Sequence, residues 1–275
     1  MAVLKGTNKI YKNMKLLKTK KERDKQCVFV CEGIRFVEEI PKDYEVLYYV
    51  VSESFENNND VSIYSKKNDV YVFEDKLFSD MSDTEHPQGI MALCRKKIYD
   101  INDIISKNKG RGFYIACEEL NDPGNLGTII RTADACGASA VILSKGSVDV
   151  YNGKVLRSTM GSIFHLPVIT DTDIKEVINT LKEKGVKVYA AHLKGVNTPY
   201  SFDLKNDIAY LIGNEANGLK TETADMADEY IKIPMPGQAE SLNASVAAAV
   251  LMYETVRQRE VVKWENLLKK SQCFL

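Results

Sequence analysis

Three separated segments of this 275-residue chain combine turn residues with side chains that could do chemistry: Asn121–Arg131, Gly213–Gly218 and Ser241–Ser245. The first contains an arginine, the second a carboxylate between glycines, and the third hydroxyl and amide groups at the start of a helical pattern. Each follows an apolar run typical of a buried strand. Because ligands bind beyond the carboxyl ends of parallel strands, we expect the segments to form one ligand site.

The first segment predicts an anion site followed by a cation. Asp122-Pro-Gly-Asn125 has strong turn chemistry and leads into a helix beginning near Leu126, whose free N–H groups favour an anionic ligand. Arg131 lies on the face of this helix opposite its apolar residues. A surface ion pair with Asp134, contributing at most about 1 kcal/mol, is the alternative explanation of the arginine.

The second segment places Glu215 just past a buried strand, between Gly213 and Gly218, which allow close backbone approach. This spacing is weak evidence alone, since turn glycines around a glutamate are common. It differs from the dinucleotide fingerprint G-x-G-x-x-G, and the chain also lacks a P-loop.

The third segment opens a long helix, which Ser241 is expected to cap. Val246, Val250 and Tyr253 recur at helical spacing and are expected in the core. The small residues 247–249 permit close packing against a neighbouring helix, including one from a second subunit.

These segments must be positioned by a sheet, and from Phe113 onward strand and helix patterns alternate. Such alternation with continuous apolar strands predicts an α/β fold with a mostly parallel sheet. The expected strands are 113–117, 140–143, 166–169, 186–190, 208–212 and 230–233, and the expected helices are 126–136, 154–160, 173–184 and 242–264. Residues 1–97 are interpreted as a smaller α/β domain, 98–112 as a linker and 113–275 as the main domain.

Composition indicates a globular protein, with 44% hydrophobic and 27% charged residues. No apolar run approaches the roughly 20 residues that span a bilayer, and the first residues lack the apolar core of a signal peptide, so a cytoplasmic location is expected. The six cysteines are expected to be reduced and structural. The three histidines are dispersed without metal-ligand spacing, so they are expected to be structural and no metal is expected.

The net charge of -1 conceals a basic N-terminus, in which residues 1–25 carry nine Lys or Arg against Glu22 and Asp24. Such a local excess is typical of a nucleic-acid-binding surface. A solvated, partly frayed helix explains the same residues equally well, and the charge pattern alone leaves both interpretations open.

The ordered motifs N-D-P-G-N-L-G-T-I-I-R, L-I-G-N-E-A-N-G-L and I-P-M-P-G-Q-A-E-S-L-N-A-S-V-A resemble those of the SpoU/TrmH-type RNA 2′-O-methyltransferases of the SPOUT class. Asp149–Gly161 is similar to the second helix region of that family. This resemblance covers about residues 110–260. More weakly, Phe29–Arg35 and His86–Ile90 are similar to its ribosomal-protein-like substrate-binding domain.

The resemblance implies a deep trefoil knot, a bent S-adenosylmethionine cofactor and a homodimeric active site. It implies a catalytic set of Asn125, Arg131, Glu215, Ser241 and Asn243, and cofactor contacts from Leu193, Gly213, Ile233 and Leu242. Arg131 would enter from the opposite subunit. A guanidinium with a pKa above about 12 is a poor base, which favours an arginine that clamps a phosphate or relays a proton.

An RNA methyltransferase also needs phosphate contacts, which gives the basic segment weight as an RNA-binding surface. The expected RNA contacts are Lys18, Lys20, Lys21, Arg23 and Arg35. The N-terminal domain favours ribosomal RNA of the large subunit as substrate. The alternatives are a tRNA 2′-O-methyltransferase and a non-catalytic RNA-binding or ribosome-assembly protein on the same fold.

Overall fold

The computed structural model describes residues 2–66 and 68–272, with side chains to residue 260. The chain divides into two compact units, each with its own sheet. Unit 1 consists of residues 1–98 and 149–164, and unit 2 of residues 99–148 and 165–275. The segment similar to the family's second helix region therefore belongs to unit 1, although the methyltransferase motifs flank it in sequence.

The strands and helices of the described chain are numbered in chain order. The strands are β1 (Val3–Leu4), β2 (Val28–Glu32), β3 (Val46–Ser52), β4 (Asp69–Phe73), β5 (Ile90–Arg95), β6 (Phe113–Cys117), β7 (Ala140–Ser144), β8 (Val168–Thr172), β9 (Lys187–Ala191), β10 (Ile208–Ile212) and β11 (Glu229–Ile231). The helices are α1 (Lys9–Leu16), α2 (Lys20–Gln26), α3 (Ile34–Glu38), α4 (Glu53–Asn58), α5 (Ser62–Ser65), α6 (Asp75–Met81), α7 (Ile101–Lys107), α8 (Pro123–Ala135), α9 (Gly153–Thr159), α10 (Ile174–Glu183), α11 (Thr221–Ala224) and α12 (Ala244–Gln272).

Unit 1 is built on a mixed sheet with the order β1-β4-β3-β5-β2. Strands β1, β4 and β3 run parallel, and β5 pairs antiparallel with both β3 and β2. Apolar residues of these strands are fully buried, among them Val28, Val50 and Phe73. This small α/β domain agrees with the strand-like runs expected from the sequence.

The basic N-terminal segment forms two capped helices of unit 1. The Asn8 side chain accepts a hydrogen bond from the Ile10 N–H at the start of α1, and the Thr19 hydroxyl accepts one from the Glu22 N–H at the start of α2. Met14 and Leu17 are buried in the core cluster of unit 1. Because burial of such side chains contributes about 1.5–3 kcal/mol each, deletion of residues 1–25 would damage the core as well as remove charge.

The prediction that Arg23 contacts RNA was wrong, because its side chain is buried in unit 1. Its guanidinium donates to the carbonyls of Leu17 and Lys18 at 2.6 and 2.8 Å and pairs with the Asp149 carboxylate. The side chain is only 8% exposed. A guanidinium committed to carbonyls and a carboxylate stabilises unit 1. Its one unpaired donor, Nε, is buried and so is out of reach of a phosphate.

Unit 2 is built on a parallel sheet with the order β11-β9-β10-β6-β7-β8. The expectation of a parallel sheet is confirmed. Strands β6 and β10 lie next to each other at the centre, and all their residues are buried. From β6 the chain passes through β7 to the edge strand β8, and it then crosses to β9 in the other half of the sheet. The strand order therefore reverses between β6 and β10. Such sheets bind ligands at this topological switch point.

Helix α8 begins at Pro123, three residues before the position expected from apolar periodicity. Asp122 caps it by accepting the Asn125 N–H at 2.7 Å, and proline suits the first helical position because its missing N–H has no helical partner there. The turn residues therefore belong to the first turn of the helix.

The prediction of which face of α12 lies in the core was wrong. Val246 and Tyr253 are 48% and 57% exposed, whereas Ala248, Leu251 and Met252 are buried. Both faces of this helix carry apolar residues at helical spacing, so periodicity alone could not tell which face meets the sheet. Val246, Val250 and Tyr253 instead form an exposed or half-buried stripe.

The described cysteines are free thiols, as expected, and Cys273 lies outside the described residues. Burial raises the pKa of Cys117 to about 12, which keeps that thiol protonated and unreactive. Among the described helices, none is long and apolar enough to cross a membrane.

Candidate active site

The carboxyl edge of the parallel sheet carries a cleft of about 1220 Å³, including its open mouth. Its walls come from the loops that follow β9, β10 and β11 and from the first turn of α12. Loops far apart in sequence meet here because parallel strands end at the same edge. The cleft is bordered by Leu193, Gly213, Glu215, Ile233, Ser241 and Leu242 among other residues.

The Glu215 carboxylate connects the loop after β10 to the loop after β6. It accepts hydrogen bonds from the backbone N–H groups of Asn121 at 3.1 Å and Asp122 at 3.0 Å. It also accepts one from the Asn125 side-chain amide at 3.0 Å. The anion expected at the start of α8 is therefore supplied, in the described structure, by the protein's own glutamate.

Asn125 extends the network to the start of α12. Its side-chain oxygen accepts from the Asn243 amide at 2.9 Å and from the Ser245 hydroxyl at 3.3 Å. The Asn243 oxygen accepts the N–H of Ser245 at 2.9 Å and that of Val246 at 3.3 Å. Asn243, and not Ser241, thus caps α12, which leaves the Ser241 side chain at the cleft wall.

The network keeps Glu215 ionised. Burial by itself would raise the pKa of this carboxyl, but the hydrogen bonds from Asn125, Asp122 and Asn121 outweigh it and lower the pKa below the usual 4.5. Since the folded pKa is depressed, the stabilisation is complete above about pH 4.5 and is lost as pH falls through the lower folded value. At neutral pH Glu215 is therefore an acceptor that orders two loops, with no proton to donate.

Gly213 is required by the close approach of two backbone segments. A Cβ at this position would lie 2.1 Å from the carbonyl carbon of Gly218 and 2.2 Å from the N atom of Leu219. The loop closes through reciprocal backbone hydrogen bonds between Asn214 and Gly218 at 3.0 and 2.9 Å. A side chain at Gly213 would force this loop open.

The residues that line the cleft are chemically suited to an adenosine-containing cofactor. All the residues expected to contact the cofactor, Leu193, Gly213, Ile233 and Leu242, border it. Within the described chain, the N–H groups of Leu193, Ile233 and Leu242 form no backbone hydrogen bond, which leaves them free for a ligand. An apolar wall with a few free backbone groups is typical of a small-molecule site.

His192 was expected to be structural, but the structure places it in the wall of this cleft. Its Nδ1 accepts the Lys194 N–H at 3.1 Å, and its ring packs on Tyr230 with centroids 4.9 Å apart. Burial, and secondarily the Lys194 charge, lower its pKa below 6.5, against a smaller opposing effect of Asp225. Its position directly after a buried strand was the sequence signal for a site residue.

Arg131 is separate from this network and does not border the cleft. It is exposed on α8, and in the described part of the chain its guanidinium has no hydrogen-bond or ion-pair partner. The alternative ion pair with Asp134 is not formed in the described chain, and that carboxylate instead contacts His165 Nδ1 at 3.2 Å. A free guanidinium on the helix that the Glu215 network anchors is available to an external anion.

The class of the protein follows from its structural neighbours, which share this parallel sheet and are methyltransferases of the SPOUT class. The family model described as SpoU rRNA Methylase family matches residues 112–253. A second model, described as MRM3-like substrate binding domain, matches residues 8–92. The chain belongs to the SpoU rRNA methylase family, which confirms the resemblance of its motifs.

One named relative matches nearly the whole chain, and another matches a little more than half of it. The chain is 36% identical over 251 residues to the 23S rRNA (guanosine(2553)-2′-O)-methyltransferase RlmP of Bacillus subtilis, covering 90% of this chain and 95% of that protein. It is 35% identical over 164 residues to the 23S rRNA (guanosine-2′-O-)-methyltransferase RlmB of Xylella fastidiosa, covering 60% of this chain and 66% of that one.

Solved structures share the architecture. An AdoMet-bound rRNA methyltransferase from Sinorhizobium meliloti superposes with a TM-score of 0.81 at 31% identity, covering 93% of this chain and 97% of its own. The SpoU methyltransferase AviRb from Streptomyces viridochromogenes, in complex with AdoMet, gives 0.81 at 26% identity, with coverage of 92% and 98%. The expected fold class is confirmed, and the knot itself stays a prediction.

Glu215→Gln should lower methyl transfer about tenfold or more, because hydrogen bonds to a charged acceptor contribute about 1.5–3 kcal/mol each. A glutamine presents one acceptor oxygen, so at least one donor among Asn121, Asp122 and Asn125 loses its partner. Glu222→Gln, which removes only a surface ion pair with Lys175, is the matched control. Equal initial rates for the two variants would contradict the anchoring role of Glu215.

His192→Asn should remove a pH dependence of cofactor affinity. In the wild type, protonation of Nδ1 abolishes the acceptor for the Lys194 N–H, so affinity should fall as pH drops through the His192 pKa, which burial and the Lys194 charge place below the ordinary 6.5. Asparagine offers an oxygen near the Nδ1 position that takes up no proton. Calorimetric titration with S-adenosylmethionine measures the effect, with His165→Asn as control. A variant that follows the wild-type pH profile would refute this role of His192.

Proposed function

We propose that this protein is an S-adenosylmethionine-dependent RNA methyltransferase that methylates a ribose 2′-hydroxyl of large-subunit ribosomal RNA. The observation that carries the proposal is the hydrogen-bonded chain Glu215–Asn125–Asn243, which joins the three motif loops beside the cofactor cleft. A relative that matches over nearly its full length and is named as a 23S rRNA 2′-O-methyltransferase supports the reaction and the RNA class. We further propose that it acts in the cytoplasm, where ribosomal RNA is available.

The reaction calls for positioning more than for acid–base chemistry by the protein. S-adenosylmethionine, when bound, supplies an electrophilic methyl group. Leu193, Gly213, Ile233 and Leu242 would hold the cofactor through the cleft wall. Asn125, Glu215 and Asn243 would maintain the loops, and the Ser241 hydroxyl at the wall would orient the ribose.

Arg131 is proposed to bind the RNA phosphate next to the reacting ribose. Its guanidinium has no partner in the described chain and stays charged at neutral pH. A planar guanidinium donates two parallel hydrogen bonds to a phosphate. The bound phosphate would then lie where it can accept the 2′-hydroxyl proton.

We propose that the enzyme is a homodimer with composite active sites. Arg131 does not border the cleft of its own chain, so a second copy can supply it. The exposed apolar stripe Val246, Val250 and Tyr253 on α12 would form the contact, because a helix face of this kind is stabilised by burial against another copy.

RNA contacts are proposed in unit 1 for the basic residues that remain accessible. Lys21 and Arg35 are exposed and have no partner in the described chain. Lys18 and Lys20 are less available, since Lys18 donates to the Ser82 carbonyl at 2.7 Å and Lys20 to the Asp24 carboxylate at 2.8 Å. Arg23 is excluded from this set by its burial.

The tRNA alternative is weaker because it leaves unit 1 without a counterpart. A structure concerned with 2′-OH methylation of C/U34 on tRNA covers 54% of this chain with a TM-score of 0.50. The rRNA methyltransferase from Sinorhizobium meliloti covers 93%. A non-catalytic function is disfavoured because the described chain contains every residue of the expected catalytic set.

Arg131→Ala should abolish methyl transfer to ribosomal RNA while S-adenosylmethionine affinity stays within about twofold, since the residue is proposed to contact RNA only. Transfer of labelled methyl groups to ribosomal RNA measures the first effect, and calorimetry the second. Arg111→Ala, an exposed arginine of unit 2, is the control. Full activity of Arg131→Ala would overturn the proposed site.

Val246→Asp combined with Tyr253→Asp should convert a dimer into a monomer. Burying two apolar side chains contributes about 3–6 kcal/mol per copy, so charging both should weaken association at least about a hundredfold. Sedimentation equilibrium measures the mass, with Ser106→Asp on α7 as a matched exposed control. A wild-type protein that sediments as a monomer, or a variant that stays dimeric, would contradict this interface.

A further inference from the structure

Unit 1 contains a second cleft, of about 1070 Å³, that the methyl-transfer site does not use. Arg157 and Met160 border it from the segment 149–164, which resembles a family motif but contributes nothing to the site in unit 2. Arg35 and Gln88 border it from the remainder of unit 1. A cavity bordered by charged and amide side chains indicates a ligand with polar edges.

Arg157 is the residue of this cleft with a buried donor that the protein leaves unpaired. Its Nη1 atom is buried and forms no hydrogen bond. No ion pair involves its guanidinium within the described residues. A buried donor without a partner is rare, because protein interiors pair almost all such groups. Nη1 itself is closed to solvent, so a ligand in the cleft would meet the other donors of this half-buried guanidinium.

Further donors face the same space. Arg35 is exposed on α3 and has no partner in the described chain. Gln88 is held in place because its oxygen accepts the Ile34 N–H at 2.8 Å, which leaves its amide N–H groups unused. The cleft therefore presents two guanidinium groups and one oriented amide.

Carboxylates on the rim distinguish this cleft from a phosphate site. Glu32 is already occupied, since it accepts from the Thr84 hydroxyl at 2.7 Å and the Asp83 N–H at 3.1 Å. Glu38 and Glu39 are exposed and have no hydrogen-bond partner in the described chain. These free carboxylates would repel a phosphate, but they can accept hydrogen bonds from the amino and imino groups of a base.

The cleft also offers apolar surface. Phe36 is 7% exposed and Met160 is 50% exposed, and both border the cavity. A thioether and an aromatic ring contact the face of a heterocycle favourably. Single-stranded RNA is recognised in this way, by stacking of an unpaired base together with hydrogen bonds to its edges.

We propose that this cleft binds one unpaired guanine of the RNA substrate, which rests on the proposed function. Guanine has two neighbouring acceptors, O6 and N7, which a guanidinium binds in a bidentate manner. Its N1–H and N2–H groups are donors suited to Glu38 or Glu39. Unit 1 therefore selects RNA by reading a base, in addition to the phosphate contacts of its lysines.

The test is titration of the full chain, labelled with ¹³C at its methionine methyl groups, with each nucleoside 5′-monophosphate. The Met160 resonance, assigned with Met160→Leu, reports on this cleft. Guanosine 5′-monophosphate should shift it, and the other three nucleotides should bind about tenfold more weakly, the discrimination expected of one bidentate contact. Inorganic phosphate should leave the resonance unchanged.

Arg157→Gln and Arg35→Gln should each weaken guanosine 5′-monophosphate binding about tenfold, by loss of a charged donor pair. Arg35→Gln changes an exposed residue and so tests the cleft even if Arg157→Gln folds poorly. Lys154→Gln, exposed on α9 outside the cleft, should bind as the wild type does.

An equal shift with inorganic phosphate would make this a phosphate site and overturn the proposal. Equal binding of the four nucleotides, or no shift with any of them, would overturn it as well. The titration requires no methyl transfer, so its failure is separate from failure of the proposed enzyme activity. A chain that methylates ribosomal RNA but leaves Met160 unshifted retains its proposed function and loses this pocket.

Discussion

The active-site edge of this protein depends on one carboxylate that is shared by two loops. Glu215 accepts two backbone N–H groups from the loop after β6 and the amide of Asn125, which is 90 residues away in sequence. Asn125 in turn meets Asn243 at the start of α12. Each of these side chains forms a hydrogen bond with the next, so the three motif segments hold one another in place. A polar network of this kind stabilises strongly only when all its groups are hydrogen-bonded.

This arrangement divides the polar residues of the site into two kinds. Glu215, Asn125 and Asn243 use their hydrogen-bonding groups on one another, and the depressed pKa of Glu215 follows from that use. Arg131 is not engaged in the described chain and remains free for an external anion. A methyl transfer that needs orientation and charge neutralisation, with little proton transfer from side chains, suits such a division.

Much of unit 2 could be predicted because its signals are local. The strands 113–117 and 208–212 are continuous apolar runs that cannot be stable outside a doubly covered sheet, and the structure has them with these bounds. The buried face of α12 could not be predicted, since Val246 and Tyr253 match the helical period as well as Leu251 and Met252 do. The prediction for Arg23 failed for a related reason. A run of basic residues predicts charge at the surface, but whether one side chain is buried depends on the elements that pack against its helix.

The sequence by itself determined the order of the motifs, the alternation that builds a parallel sheet, and the membership of the SpoU family, because each is written in local residue types and spacing. Only the tertiary structure decided that the anion at the start of α8 is Glu215, that His192 borders the cleft of unit 2, and that the Nη1 atom of Arg157 is buried without a partner. Hydrogen-bond partners and burial depend on contacts between segments far apart in the chain, and no local pattern contains that information.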